Sequence, residues 1–431
     1  VTGNSSITGG QAVNTLSVVI PALNEEDGIA DIIERVLAIK GSLAKVGVSD
    51  LELIVVDDGS RDRTAEIVTG YPEVVLVQHA VNRGYGAAIK TGFRHAKGNL
   101  LAFLDADGTY PPKYFPQLCR PILEAGADLV IGSRMAGAES DMPPVRRLGN
   151  LIFATLVSLI GNQRVSDSAS GQRVLRRDAL LLLYPLPDGL NFTPVMSTRA
   201  IHENLRIIEV PIPYAERVGR SKLSVVRDGF RFLSSIVSTA MTYNPVRILG
   251  AVGSGLVLAA LLVALFAGLV GIGENTSQWP FSRFFAAFVL AAVGINLFST
   301  GATFNYLVSL FHKRQVRQGL FGRPLFRTPL ESHFGWMGSV SIIGGVAVYA
   351  LAVLLSLDSL GVPSWFAPAV SSVLVLSGFQ LMTSWLLVKV LAELSKRESR
   401  AYDDLGTQRE GVLPTASSAV QAGVSMEELV V

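Results

Sequence analysis

Apolar and polar positions alternate on two different periods along the first half of the chain, and in the second half the alternation largely stops. Four short runs are apolar and rich in β-branched residues: LSVVI (16–20), LELIVVDD (51–58), VVLVQH (74–79) and NLLAFLDAD (99–107). Runs of that length and composition predict buried strands. The segments between them change period. In NEEDGIADIIERVLAIK, Ile29, Ile32, Ile33, Val36 and Leu37 share one helical face, and acidic residues sit at the start, where the helix dipole favours them. DRTAEIVTG and GAAIKTGFRHAKG behave alike, each closed by a glycine. Strands alternating with helices over short links predict a mostly parallel sheet covered on both faces, an α/β fold.

Four apolar blocks dominate the rest: 246–272, broken only by Arg247 near its start, 284–311, 334–357 and 365–388. Each is longer than the roughly 20 apolar residues a bilayer crossing needs. The connection between the second and third blocks carries Lys313, Arg314, Arg317, Arg323 and Arg327, and Lys389, Lys396, Arg397 and Arg400 follow the fourth. The stretches GENTSQWP (273–280) and SLDSLGVPS (356–364) of the other two connections have no Lys or Arg, and Arg283 stands at the edge of the second block. Basic loops stay on the cytoplasmic side, so both termini are expected there, with Trp279 and Trp365 at the opposite interface. Between the halves, LSVVRDGFRFLSSIVSTAM (223–241) places Leu223, Val226, Phe230, Leu233, Val237 and Met241 on one face and Lys222, Arg227 and Arg231 among the polar positions. That pattern predicts a helix lying in the membrane interface, with a core helix of the soluble domain as the alternative. LIFATLVSLIG (151–161) is too short to span and is a second candidate for the headgroup layer.

Composition agrees with this division. Hydrophobic residues make up 49% and charged residues 17% of 431, too apolar for an ordinary soluble protein and too charged for a purely embedded one. A net charge of +2 is uninformative about nucleic acid; the sequence has no basic patch interleaved with aromatics, and no nucleic-acid partner is expected. The single Cys119 excludes an intramolecular disulfide and suits a reducing compartment. Residues 1–14 are polar, lack the apolar core of a signal peptide and are expected to be a disordered tail.

Candidate chemistry gathers at the carboxyl ends of the strands, where ligands bind in such sheets. These ends carry Pro21, Asn24 and Glu25, then Asp57 and Asp58, then Asp105 and Asp107. Any one acidic group reads equally well as a solvated turn. Three at one rim point instead to a divalent cation on a nucleotide, since Mg2+ or Mn2+ takes one or two carboxylates together with substrate phosphates. Gly84 and Gly86 in RGYG read either as a turn admitting ligand to the backbone or as a purely structural turn.

The ordered series VVIPALNEE, VVDDGSRDRT, NRGYGAAIKTGFRHAKGNLLAFLDADGTYPP, GSRMAG, SDSASGQRVLRRDAL and EVPIPYAERVGRSKLSVVRDGFRFL resembles the family-2 glycosyltransferases, and within them the polyprenyl-phosphate glycosyltransferases of the dolichol-phosphate mannose synthase type. The resemblance covers residues 16 to about 235. It implies a glycosyltransferase A-type nucleotide-binding domain at 15–220, an amphipathic helix at 221–244, a four-helix transmembrane domain at 245–392 and a cytoplasmic tail at 393–431. It also implies donor nucleotide contacts at Pro21, Leu23, Asn24, Glu25, Val56, Asp57, Asp58 and Ala106, and a metal, Mg2+ or Mn2+, at Asp105 and Asp107. Arg134, Arg173, Arg217, Ser221 and Lys222 are implied for phosphate and acceptor, with Arg217 also in the catalytic set. Asp167 is open between a base or orienting group and a structural role. Thr109 stands where the family often has Gln.

The expected activity is therefore membrane-bound, inverting transfer of a hexose from a nucleotide sugar, GDP-mannose or a UDP-hexose, to a polyprenyl phosphate. A lipid phosphate is largely dianionic near neutrality and needs cations rather than a strong base. The alternatives are a processive polysaccharide synthase, a synthase using a neutral lipid hydroxyl, and a transporter with a nucleotide-binding domain. The first lacks its Q-x-x-R-W motif, since no Trp precedes Trp279. A homo-oligomer is left open.

Overall fold

The computed structural model describes residues 14–137, 142–161, 163–214, 225–273, 281–311, 330–356 and 363–405. The chain divides into two compact units, residues 1–240 and 241–431.

The first unit is built on seven strands: β1 (Thr15–Ala22), β2 (Asp50–Asp57), β3 (Val74–Gln78), β4 (Leu100–Phe103), β5 (Leu129–Ser133), β6 (Arg173–Arg176) and β7 (Ile207–Pro211). The helices interleaved with them are α1 (Ile29–Leu37), α2 (Lys40–Ala44), α3 (Thr64–Thr69), α4 (Tyr85–His95), α5 (Phe115–Ala125), α6 (Pro144–Ile160), α7 (Arg177–Leu183) and α8 (Phe192–His202), and α9 (Val225–Met241) follows β7. The sheet order is β3-β2-β1-β4-β6-β5-β7. The four apolar runs expected as strands are β1 to β4, and β1 lies parallel to both β2 and β4. β6 pairs antiparallel with β4 and β5 and is the one strand that breaks the parallel pattern. It makes the sheet mixed but mostly parallel.

One face of the sheet packs on α1 and α5, around Val18, Ile20, Ile32, Val36, Phe115 and Leu118. Cys119 lies in this core, where burial pushes its thiol up to about 12. On the other face Phe103 meets Phe93 and Phe192 edge-on, with ring centroids 6.2 and 5.8 Å away. There α4 lies so close on β1 that a Cβ at Gly92 would stand 2.3 Å from Val19 Cγ1.

Two helices of this unit have both a packed and an exposed apolar face. On α9, Asp228, Ile236 and Ala240 are buried, whereas Phe230 is 74% exposed. On α6, Asn150, Ala154 and Val157 are buried, while Val145, Leu148, Ile152 and Leu159 are exposed. The two helices touch through Phe153 and Phe232, 5.8 Å between centroids. α6 starts earlier than the apolar run at 151–161 indicated, because Pro144 occupies a first helical position, where its missing N–H costs nothing.

The second unit holds α10 (Pro245–Gly273), α11 (Phe281–Phe311), α12 (Phe334–Leu354) and α13 (Phe366–Leu405). Each contains a stretch long and apolar enough to cross a membrane, of 25, 28, 21 and 30 residues in turn. They pack as two hairpins, α10 on α11 and α12 on α13. Each hairpin has a glycine contact: Gly253 against Gly294, and Gly338 against Gly378. A Cβ at any of the four would lie within 2.8 Å of the opposite glycine's carbonyl oxygen, the close backbone approach that small residues permit between membrane helices. The basic loop at 313–327 and Trp279 lie outside the described residues.

Gly92→Ala is expected to lower the stability of the first unit by about 1–3 kcal/mol through overpacking against Val19. Thermal unfolding of the full chain in detergent reads this as an earlier transition, and adding Val19→Ala is expected to recover part of the loss.

Candidate active site

The carboxyl ends of β1, β2 and β4 open into a cavity of about 530 Å³. Pro21, Leu23, Glu25, Asp58, Asp105, Ala106, Asp107 and Arg134 all line it. Neighbouring loops hold it in shape. Asn24, in the left-handed region at φ 51°, accepts the Arg61 N–H on Oδ1 at 2.8 Å, and its own N–H donates to Ser60 Oγ at 2.9 Å. This stitches the β1–α1 turn to the β2–α3 turn. Asp58 accepts from the Arg83 and Gly84 N–H groups at 2.9 and 2.8 Å and from His79 Nδ1 at 2.7 Å.

Gly84 and Gly86 turn out to serve packing. A Cβ at Gly84, whose φ is +105°, would fall 2.6 Å from the Asp188 carbonyl oxygen, and one at Gly86 would fall 2.1 Å from that of Pro187. Gly84 also lines the cavity, so the turn is structural and borders the site as well.

The D-x-D pair follows β4. Asp105 Oδ1 accepts from Tyr85 Oη at 2.7 Å, and Asp105 lies against the backbone of Gly171, where any Cβ would strike its Oδ2 at 2.3 Å. Asp107 Oδ1 accepts from both the N–H and the hydroxyl of Thr109, at 3.1 and 2.6 Å. Thr109 therefore orients the second carboxylate. Among the described residues no three His, Cys, Asp or Glu side chains gather to hold a metal by themselves. Two hard oxygen donors on one loop nevertheless fit a Mg2+ or Mn2+ ion whose remaining ligands are substrate phosphate oxygens and water.

Opposite the pair stands Arg134. Its Nε and Nη2 donate to the two oxygens of Asp167, each at 2.7 Å, and Asp167 also accepts the Arg134 N–H at 3.0 Å. Its guanidinium stands over an edge-to-face pair of rings, 5.6 Å from the centroid of Tyr110 and 5.5 Å from that of Tyr214. Nη1 has no protein acceptor among the described residues and is the corner of the fork available to a ligand. Burial disfavours charge on Asp167, but Arg134 outweighs it and holds the carboxyl below its usual range. Burial likewise opposes the Arg134 charge, and Asp167 more than restores it. Asn150, from α6, adds a 3.0 Å hydrogen bond to Asp167 Oδ1, while its own Oδ1 is buried without a partner. Glu209 on β7 accepts from the N–H groups of Ser166 and Asp167 and fixes their loop.

Several expected site residues stand elsewhere. Val56 and Asp57 are buried behind the cavity, and Asp57 Oδ1 accepts from the Ser60 N–H at 3.0 Å. Asn24 shapes a turn rather than the lining. Arg173 is the clearest correction: its side chain is fully buried, donating to Ser170 O, Ser168 O and Ser197 Oγ, so an acceptor phosphate cannot reach it. Burial without a partner carboxylate in contact lowers its pKa to about 10. Arg217, Ser221 and Lys222 lie outside the described residues. Tyr85, Tyr110, Tyr214 and Asn150 join the site without having been singled out in the sequence. Asp107 and Thr109 are spaced i, i+2, and that pairing was readable as a local side-chain turn.

Residues 17–182 match the glycosyl transferase family 2 model, and residues 245–402 match a domain of unknown function, DUF8752. The low-salt glycan biosynthesis hexosyltransferase Agl6 of Haloferax volcanii is 30% identical over 387 residues, covering 88% of this chain and 89% of the relative. The chain belongs to glycosyltransferase family 2. A second relative of this glycosyltransferase is the undecaprenyl-phosphate 4-deoxy-4-formamido-L-arabinose transferase of Photorhabdus laumondii, 29% identical over 72% of this chain and 94% of that one. Among solved structures, glucosyl-3-phosphoglycerate synthase of Mycobacterium tuberculosis superposes with a TM-score of 0.43 at 24% identity, covering 53% of this chain and 80% of that one, too loose a likeness to argue from.

Asp167→Ala leaves the Arg134 charge without its counter-ion and is expected to destabilise the first unit by about 3–5 kcal/mol. Because the folded Asp167 pKa is depressed, the pair's contribution is complete above the ordinary carboxylate range and drains away as pH falls through the lower folded value. Unfolding midpoints of wild type and variant are thus expected to differ most at neutral pH and to converge in acid.

Proposed function

We propose that this glycosyltransferase moves a hexose from a nucleotide diphosphate sugar to a membrane-bound polyprenyl phosphate, with inversion at the anomeric carbon. The observation that carries the reading is the engagement of Asp167. A neutral lipid hydroxyl would need a general base. Asp167 is the candidate, and its carboxylate is taken up by Arg134 and Asn150 and held below the usual range. An acceptor that brings its own negative charge needs no such base. The printed activity of the Photorhabdus relative, transfer to undecaprenyl phosphate, supports the same acceptor class.

In this reading Pro21, Leu23, Glu25 and Asp58 receive the nucleoside, and Asp105 and Asp107 hold a divalent cation against the diphosphate. When bound, that ion neutralises charge developing on the leaving diphosphate, a form of transition-state stabilisation. Tyr85 and Thr109 orient the two carboxylates. Arg134 offers Nη1 to a phosphate, and Arg217 and Lys222 are expected to join it. One in-line displacement by the lipid phosphate oxygen breaks the bond from the sugar to the diphosphate and forms a β-linked lipid phosphate sugar from an α-linked donor. The exposed apolar faces of α6 and α9 would rest in the headgroup layer, so that the acceptor phosphate enters without leaving the bilayer. The Lys and Arg pattern of the second unit orients both termini to the cytoplasm.

The test incubates the membrane-embedded full chain with polyprenyl phosphate, Mg2+ or Mn2+ and a panel of GDP-mannose, UDP-glucose and UDP-N-acetylglucosamine, and counts sugar in the organic phase. Transfer from one donor is expected, with chelation or Asp105→Asn/Asp107→Asn lowering it at least about 100-fold, the scale of losing a key electrostatic contact. Unchanged turnover in the double variant under chelation would refute the metal assignment, and label found only in polymer would refute the acceptor.

A further inference from the structure

A second cavity, of about 410 Å³, opens on the other side of α4. Tyr85 and Ala88 of that helix line the cavity described above, whereas Ala87, Lys90, Thr91 and Arg94 line this one. Arg83, just before the helix, completes a row of cations spaced i, i+7 and i+11 along one face. Asp188 is the one carboxylate in the lining, and it is already engaged by Lys90 at 2.7 Å, with Lys90 also donating to the Leu186 carbonyl at 2.8 Å. The two guanidinium groups have no such counter-charge. The Arg83 side chain has no protein partner among the described residues, and Arg94 makes a single long contact, Nη2 to Thr91 Oγ1 at 3.3 Å.

We propose that this cavity binds a phosphate anion between Arg83 and Arg94. Three observations favour a phosphate on a lipid. Leu181 and Leu182, beside the lining residue Leu180, are 67% and 45% exposed, as is the ring of Tyr184 at the mouth, within electrostatic reach of Arg94. Cations bordered by exposed leucines and a tyrosine match a surface that meets headgroups, with charge taking the phosphate and the apolar rim the boundary below it. The back wall is rigid as well, because Thr91 Oγ1 bonds His79 Nε2 at 3.0 Å and His79 Nδ1 bonds Asp58 at 2.7 Å, both buried. Forked guanidinium groups suit phosphate oxygens better than point charges do. Arg83 and Arg94 have no part in the reaction proposed above, and their substitution leaves Asp58, which that reading gives to the nucleoside, in place, so the two readings are tested separately.

The experiment uses the full chain in neutral detergent, and comparison with Arg83→Gln/Arg94→Gln separates this cavity from the larger one. Short-chain phosphatidylglycerol, short-chain phosphatidylcholine and inorganic phosphate are titrated separately, and binding is followed calorimetrically. Phosphatidylglycerol is expected to bind, and Arg83→Gln/Arg94→Gln to weaken it at least tenfold, while Arg120→Gln on the exposed side of α5 changes nothing. Binding of phosphatidylglycerol but not inorganic phosphate assigns the site to headgroups; equal binding of both assigns it to free phosphate. No binding, equal affinity for phosphatidylcholine, or an affinity untouched by the double variant would overturn the proposal.

Discussion

The buried ion pair between Asp167 and Arg134 is the constraint on which the larger cavity depends. A guanidinium at the edge of a protein interior has no reason to stay in one place unless a carboxylate and flat rings fix it. Here both oxygens of Asp167 are spent on the fork, Tyr110 and Tyr214 stand beside the guanidinium, and the loop carrying Asp167 is fastened to Glu209. What is left over is one donating corner, on a residue that lines the same cavity as Asp105 and Asp107. A removed partner would leave a charge stranded in a dry setting, which costs several kcal/mol, so the pair works as an all-or-none support.

The acidic side of the cavity obeys a related rule. Asp105 and Asp107 are two residues apart on a loop, and such neighbours repel unless each is separately satisfied. Tyr85 answers one and Thr109 the other, from different elements and with different donors. The two carboxylates thereby keep fixed directions on one loop. Hard oxygen donors held in this way suit a divalent cation that shares its ligands with substrate phosphates.

Much of this was legible in the chain. The apolar runs at 16–20, 51–58 and 99–107 became β1, β2 and β4 because a strand buried on both faces leaves an unbroken hydrophobic signature, and the run at 74–79 became the edge strand β3, which is only partly buried. Aspartates at strand ends marked the rim for the same reason, since charge interrupts such a run only where the run leaves the core. The antiparallel β6 was not legible: its four residues, Arg173–Arg176, begin and end with arginine, and only pairing with β4 and β5 makes them a strand. Arg173 shows the general difficulty. The family resemblance puts Arg173 among the phosphate and acceptor residues, but three carbonyl and hydroxyl acceptors from Ser168, Ser170 and Ser197 make it an internal strut. Residue type reports which chemistry is available, and only the fold decides whether it faces a ligand.

The same distinction explains α6. By sequence its apolar run was a candidate for the headgroup layer, and the structure gives the helix a packed face beside an exposed apolar one. Ala154 and Val157 are covered by protein, Leu148 and Ile152 are not, and Asn150 on the covered side reaches Asp167. A helix that presents leucines outward while an amide on its inner face grips the residue that fixes Arg134 ties the shape of the cavity to its own exposed apolar face. Pressing that outer face into a headgroup layer would restrain the helix along its length, and the restraint would be felt at Arg134 through a single intervening carboxylate.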